Sequence, residues 1–280
     1  MKNLLRTLIF QGVSLTLADT TELVNEGIKR HRLSKSSAFV FGKALSAMTY
    51  MSSCLKGEKG EISLSLKTDG ACGEIAVSGN KNLYMRGYVL TTDLAELTEK
   101  ECLGNNGSIT IIRDDGYARP FVGACALPQN GGLDEAFEEY FRVSEQLPTR
   151  IKTVVEFDGT GNCVFAGVVA LQPLPFTSEE VLEKTWALPL KELLRLVKEK
   201  GIEKTVEESF EADKAVWELR TAIYRCNCSR EYLSGVLVSL GEEELRALIQ
   251  EQGSAKIHCH YCNTDYEFVD EDIDELFPKK

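Results

Sequence analysis

The residues best suited to chemistry are four cysteines that occur as two close pairs near the C-terminus. Cys226 and Cys228 are separated by one residue, Cys259 and Cys262 by two, and 30 residues lie between the pairs. Two pairs of thiolates joined by a compact insert can surround a tetrahedral zinc ion, with each sulfur about 2.3 Å from the metal. Protein ligands would fill all four positions, so we expect one structural zinc ion per chain and not a catalytic one.

Two histidines flank Cys259 in the stretch KIHCHYC and are alternative ligands. Since four thiolates are already available, we expect His258 and His260 to hydrogen-bond thiolate sulfurs or to face solvent instead.

The same close pairs can react with each other under oxidation. Zinc-bound thiolates are deprotonated, and each has a partner one or two residues away that can trap a sulfenic acid as a disulfide. The segment from Cys226 to Lys280 has 55 residues, a size at which a core alone contributes about 3–5 kcal/mol. A structural zinc site contributes about 10–16 kcal/mol. Oxidation would therefore release zinc and unfold the segment, although composition alone permits such a redox switch without requiring it.

The remaining cysteines are scattered singly, and we interpret them as buried, reduced thiols that act as small hydrophobic side chains. They are Cys54, Cys72, Cys102, Cys125 and Cys163. The total of nine cysteines is odd, and the N-terminus alternates apolar and polar residues instead of forming the apolar stretch of a signal peptide. Both features indicate a reducing, cytoplasmic location. No window approaches 18 uninterrupted apolar residues, so no membrane span is predicted.

Residues 1–177 are predicted to form an α+β domain of mixed strands and helices. Alternating apolar residues predict strands in EISLSLK, GEIAV, SITII and RIKTVVEF. The last of these is joined by DGTGN to NCVFAGVVALQ, a hairpin whose second strand should be central because it is apolar on both faces. Helical spacing predicts helices in LSKSSAFVFGKALSAMTYM and LDEAFEEYFRVSEQ. The mixture favours α+β over a doubly wound fold.

Residues 178–225 are predicted to form a helical connector. Pro173 and Pro175 end the sheet pattern. Two amphipathic stretches rich in Glu, Lys and Leu follow, TSEEVLEKTWALPLKELLRLVKEKG and TVEESFEADKAVWELR. Their apolar stripe belongs either to a permanently packed arm or to a detachable segment.

Residues 226–280 are predicted to form a third domain around the cysteine pairs. Gly241 is expected to separate two short helices and Gly253 to end the second. The domain holds 12 acidic and 5 basic residues, a net charge of −7 out of −11 for the whole chain. Such a surface repels phosphate backbones.

Several motifs resemble one bacterial family. CNC is followed by SRE, and CHYC is followed by a Tyr-x-Phe element, here Tyr266 and Phe268. LKTDG, MRGYV, YFRVSEQLPT and ALQPLP also stand where that family carries similar segments. Over essentially its whole length the chain resembles the redox-regulated 33 kDa chaperonins, the heat-shock protein 33 family. It departs at GNNGSIT and FAGVVALQ, where the family usually has a Gly-Lys-Gly type turn and a Gly-Gly pair, both outside the cysteine pairs.

The resemblance implies an ATP-independent holdase that is not an enzyme. With zinc bound by Cys226, Cys228, Cys259 and Cys262, the connector would fold over the N-terminal domain. Oxidative stress, often with heat, would form the disulfides Cys226–Cys228 and Cys259–Cys262 and release zinc. The third domain and the connector would then lose structure, and the exposed apolar surface would bind unfolded or partly folded client proteins. The active form would be a homodimer.

Two other functions could use the same cysteines. A zinc-ribbon nucleic-acid-binding module needs a positive surface, and the charge of −7 has the opposite sign. A thiol–disulfide oxidoreductase using Cys259 and Cys262 needs its redox pair at a helix start in a thioredoxin-like βαβ unit, which this pattern lacks. We therefore expect a holdase, with neither nucleic acid nor membrane as partner.

Overall fold

The structure, a computed structural model, describes five stretches of the chain: residues 4–10, 12–116, 119–129, 131–210 and 219–277. The chain divides into two compact units, Met1–Arg225 and Cys226–Lys280. The helices of the predicted connector fall within the first unit. Among the described residues, no helix is both long enough and apolar enough to cross a membrane.

Two sheets form the frame of the first unit. Five strands make one sheet: β1 (Leu4–Phe10), β2 (Val13–Asp19), β8 (Arg150–Phe157), β9 (Cys163–Pro173) and β10 (Arg220–Thr221), in the order β10-β1-β2-β9-β8. Six strands make the other: β3 (Glu61–Thr68), β4 (Glu74–Asn80), β5 (Tyr84–Val89), β6 (Gly107–Asp114), β7 (Phe121–Ala126) and β11 (Ile223–Tyr224), in the order β11-β5-β4-β3-β6-β7.

The central helix α2 (Lys35–Ser53) packs against strands of both sheets. Sixteen of its 19 residues are buried, which is why its sequence is apolar or small on nearly every side. Three further helices surround it: α1 (Thr21–His31), α3 (Glu99–Leu103) and α4 (Leu133–Tyr140). A π-helical turn, Phe141–Glu145, continues α4.

The α+β prediction is confirmed, and the predicted strands appear as β3, β4, β6, β8 and β9. Strand β9 pairs with both β2 and β8, so it is central as expected. The N-terminal stretch of alternating apolar and polar residues forms the hairpin of β1 and β2. The interpretation of the single cysteines is wrong for Cys54, which is exposed because α2 ends there at the surface.

The connector forms three helices: α5 (Glu179–Trp186), α6 (Leu190–Lys200) and α7 (Ile202–Ser209). Side chains alternate between the faces of a strand, so the five-stranded sheet presents one apolar face to α2 and the opposite one to α6 and α7. Leu194 and Val206 are buried against this second face, in a cluster with Leu15 and Leu171. The apolar stripe therefore packs on the neighbouring sheet.

The second amphipathic stretch of the connector is only partly helical. Residues 211–218, which include Trp217, lie outside the described residues. Arg220–Thr221 and Ile223–Tyr224 form the short strands β10 and β11 where a helix was expected. Two-residue strands are specified by the strands they pair with, so they leave no periodic pattern of their own.

The second unit is a small α/β assembly with its own core. It contains α8 (Arg230–Val238), α9 (Glu242–Gln252), β12 (Ala255–Cys259), β13 (Thr264–Phe268) and α10 (Asp270–Leu276). Six buried apolar residues form the core: Leu237, Leu245, Ile249, Ala255, Phe268 and Ile273. As predicted, Gly241 precedes α9 with φ 94° and Gly253 ends it with φ 81°, a conformation that suits glycine.

Candidate metal centre

The four predicted cysteines come together within the second unit. Their sulfur atoms all lie within 4.8 Å of one another. The sulfurs of Cys226 and Cys259 are 3.7 Å apart, and those of Cys228 and Cys262 are 3.2 Å apart. Four sulfurs held about 2.3 Å from one tetrahedral ion would be about 3.8 Å apart. The cluster therefore fits a metal ion with four thiolate ligands.

A tight turn between β12 and β13 presents the second pair. Cys259 is the last residue of β12, and its carbonyl accepts hydrogen bonds from the amides of Cys262 (3.3 Å) and Asn263 (2.8 Å). Asn263 has φ 54°, in the left-handed region that asparagine tolerates better than most residues. The chain thus reverses within a few residues, which keeps the thiols of Cys259 and Cys262 within 4.8 Å of each other.

The SRE sequence after the first pair attaches that pair to the hairpin. The Ser229 side chain caps α8. Arg230 donates to the carbonyl of Glu267 (2.8 Å) and pairs with Asp272 (2.6 Å). Its guanidinium also lies 4.4 Å from the ring centre of Phe268. The Tyr-x-Phe strand and the first cysteine pair are therefore connected by one arginine.

Two hydroxyl groups contact the sulfurs. The Tyr266 hydroxyl donates to the sulfur of Cys228 (3.3 Å), and the Thr264 hydroxyl lies 3.3 Å from the sulfur of Cys262. The hydrogen bond to Cys228 raises the pKa of Tyr266, so the phenol keeps the proton that it donates. Such groups orient thiolate ligands and partly neutralise their charge.

Electrostatics of the cluster also suit a cation. Burial raises the pKa of the Cys259 thiol, and the neighbouring sulfurs raise this pKa further. Four thiolates this close would repel one another without a positive charge between them. A divalent cation bound among the four sulfurs would supply that charge and stabilise their deprotonated form.

Among the described residues, the group of candidate metal ligands consists of the four cysteines. The His258 ring is instead hydrogen-bonded to Asp265, with 2.7 Å between Nδ1 and Oδ1. The rings of His258 and His260 meet edge to face, 4.9 Å apart.

The sequence analysis did not predict the contacts that Arg230, Thr264 and Tyr266 make around the cluster. Tyr266 was noticed only as part of the Tyr-x-Phe element. On β13 it alternates with Asp265 and Glu267, so the pleat places its side chain on the same face as Thr264 and Phe268. That alternation was the available signal.

Comparisons with known proteins agree over nearly the full chain. The model of the Hsp33 protein family matches residues 3–269. A 33 kDa chaperonin of Bacillus mycoides is 33% identical over 291 aligned positions, covering 99% of this chain and 98% of the relative. A 33 kDa chaperonin of Clostridium perfringens is 31% identical over 291 positions, covering 99% of this chain and 92% of the relative. The crystal structure of the 33 kDa chaperonin of Thermotoga maritima superimposes with a TM-score of 0.83 at 27% identity. The match covers 99% of this chain and 98% of the Thermotoga chain. With these matches and its four-cysteine cluster, the chain belongs to the Hsp33 family, a family of redox-regulated chaperones and not of enzymes.

Proposed function

We propose that this protein is a redox-regulated, ATP-independent holdase whose cysteine cluster binds one zinc ion when reduced. One observation carries the proposal: four thiols converge within 4.8 Å in a unit that begins immediately after the connector. The state of the cluster can thereby control a segment whose apolar side covers a sheet of the first unit.

In the reduced state, Cys226, Cys228, Cys259 and Cys262 hold the metal, and Tyr266 and Thr264 support two of the sulfurs. A zinc ion held there would close the loop between the two cysteine pairs and neutralise the thiolates. The core of this unit is small, so its folding depends on this closure.

In the oxidised state, disulfides join Cys226 to Cys228 and Cys259 to Cys262. A peroxide takes two electrons from each thiolate pair, one sulfur–sulfur bond forms per pair, and each peroxide with two protons leaves as two waters. Zinc is released because its ligands no longer carry charge. These pairings are favoured since neighbours in sequence stay close as the unit loosens, whereas partners from different pairs depend on the fold.

Loss of the zinc-bound unit leads to release of the connector. Apolar side chains of α6 and α7, together with the face of the five-stranded sheet that they cover, become accessible. Unfolded or partly folded client proteins bind there, and the active form is a homodimer. The proposed location is the cytoplasm, where thiols are reduced until oxidative stress.

The test measures zinc and client protection on one sample. Bound zinc is followed with a chromogenic chelator, and protection by suppressed aggregation of a thermally unfolding client, before and after peroxide at elevated temperature. We expect one zinc per chain, lost as two disulfides form and as protection appears. Cys228→Ser should abolish this response, whereas Cys125→Ser, outside the cluster, should keep it. If zinc leaves and no protection appears, the cluster is only structural and the proposal fails.

A further inference from the structure

A cavity of about 360 Å³ lies within the first unit, where the C-terminal end of α2 meets the π-helical turn Phe141–Glu145. Its volume falls in the range of small-molecule sites, about 300–1,000 Å³. Every described residue that lines it lies between Met51 and Gln172 in the chain. The cavity is therefore separate from the cysteine cluster and from the connector helices, and the proposed redox switch gives it no role.

The π-helical turn is formed by the motif YFRVSEQLPT, residues 140–149, whose conformation the redox switch also leaves unexplained. Turns of this kind are rare and occur frequently at functional sites. The residue after the turn, Gln146, has φ 55°, in the left-handed region that is unfavourable for a residue with a Cβ. The residues on either side of it, Glu145 and Leu147, both line the cavity.

Four of the lining side chains are apolar. Met51, Ile62 and Phe141 are buried, with at most 6% of each exposed, and Leu147 is 43% exposed. A ligand with an apolar side chain would bind favourably against them, because contact removes apolar surface from water.

The lining also carries two cations and two carboxylates. Arg113 donates to Glu145 (2.8 Å), whose other carboxylate oxygen accepts from Tyr140 (2.8 Å), so Glu145 is satisfied within the protein. Asp115 lies 3.6 Å from Nε of Arg113, and 43% of its side chain is exposed. Lys56 is exposed and forms no ion pair with the residues that the structure describes. Lys56 and Asp115 are thus the charges that a ligand can reach.

Two buried donors beside this cavity make no hydrogen bond within the described parts of the chain. One is Nε of Arg113 and the other is the hydroxyl of Tyr50. Tyr50 is 2% exposed, and its ring lies 5.9 Å from the ring of Phe141 in the cavity wall. Buried polar groups are normally satisfied, so donors left without a protein acceptor indicate a partner of another kind.

We propose that this cavity binds a free α-amino acid with an apolar side chain, in its zwitterionic form. The ammonium group pairs with Asp115, the carboxylate pairs with Lys56 and Nε of Arg113, and the side chain packs on Phe141. The described lining has no net charge, so a ligand of a single sign meets as many like charges as opposite ones, whereas a zwitterion complements both. This binding function goes beyond the holdase activity and does not depend on the cysteine cluster.

The first test titrates L-leucine into the reduced, full-length protein by isothermal calorimetry. We expect one saturable site per chain. Two analogues each lack one charge: 4-methylpentanoate has no ammonium group, and 3-methylbutylamine has no carboxylate. Each should bind at least about tenfold more weakly than leucine, because one charged hydrogen bond is lost. No saturable binding up to about 10 mM leucine, or equal affinity for either analogue, would overturn the inference.

The second test changes the two accessible charges. Lys56→Gln and Asp115→Asn each remove one charge from an exposed side chain, so both variants should fold, and each should bind leucine about tenfold more weakly. Lys67→Gln is the matched control, because Lys67 is exposed on β3 and does not line the cavity. Wild-type affinity in both cavity variants would mean that leucine binds elsewhere, and the inference would be wrong.

The third test locates the ligand without any substitution. Cys54 is exposed and lines the cavity, so its alkylation rate reports whether the cavity is occupied. At a leucine concentration about ten times Kd, about nine-tenths of the sites are filled, and alkylation of Cys54 should slow about tenfold. Cys125, which does not line the cavity, should react at an unchanged rate. If leucine binds and Cys54 reacts as fast as before, the site is not this cavity.

Discussion

The hydroxyl of Tyr266 lies 3.3 Å from the sulfur of Cys228, so a residue of the second-pair hairpin hydrogen-bonds a thiol of the first pair. Groups that support metal ligands in this way change metal affinity by about 10–100-fold when removed. We expect Tyr266→Phe to bind zinc about tenfold more weakly and to lose it at lower peroxide concentration.

Competition with a chromogenic chelator measures this effect. The matched control is Tyr232→Phe, since Tyr232 belongs to the same unit and is 63% exposed. Equal zinc affinity in Tyr266→Phe and the control would show that the hydroxyl contact does not support the thiolate.

Metal removal should unfold one unit and spare the other. The second unit has a core of six buried apolar residues, whereas the first has a core that encloses a whole helix. Because the smaller core alone contributes about 3–5 kcal/mol at best, a chelator should abolish amide protection in α8–α10 and leave α2 protected. Far-UV circular dichroism and hydrogen exchange check this, and rebinding of zinc is the control. Retained protection in α9 after full zinc loss would mean that the unit folds without metal.

The convergence of the four cysteines was predictable because each pair is close in sequence and a compact insert lets the chain return. The second pair also indicates the turn that presents it, and the structure brings all four sulfurs together. The β8–β9 hairpin was predictable for a similar reason, since its alternation and its Gly-rich turn are adjacent in the chain. Tyr266 and Arg230 were harder, because their roles depend on contacts between segments about 40 residues apart.

Residues 220–225, at the end of the predicted connector, show the limit of pattern reasoning most clearly. The helical connector was predicted to extend through residue 225, yet Arg220–Thr221 and Ile223–Tyr224 are strands. Their partners, β1 and β5, lie more than a hundred residues earlier in the chain. Such pairing is decided by edges that become available only after both sheets exist, so local propensity is overridden.

The packing of α6 should set how readily the connector is released. Leu194 is 1% exposed and packs on the five-stranded sheet, so Leu194→Ala should weaken that packing by about 2–5 kcal/mol. We expect client protection at lower peroxide concentration, with unchanged zinc affinity. Lys191→Ala on the exposed side of the same helix is the control, and aggregation assays over a peroxide series give the readout. Identical peroxide dependence in both variants would remove α6 from the switch.

Selective oxidation of the cluster requires that the other thiols stay protonated. Burial raises the pKa of Cys163 to about 11, and burial together with the charge of Glu139 raises that of Cys125 to about 11. Since both values lie above the usual 9.0, at pH 8 only about one thiol in a thousand is a thiolate. Alkylation at pH 8 should therefore be about 100-fold slower at these cysteines in the folded protein than after denaturation, and should accelerate as pH rises toward 11.

Mass spectrometry of alkylated peptides measures both rates, and the denatured chain is the internal control. Separate samples, treated with peroxide first and alkylated afterwards, should carry disulfides at Cys226, Cys228, Cys259 and Cys262 before any oxidation at Cys125 or Cys163. If Cys163 reacts as fast as the cluster while the protein is folded, burial does not protect it. Oxidation would then not be confined to the switch, and the dependence of client protection on peroxide could not be assigned to the four clustered thiols.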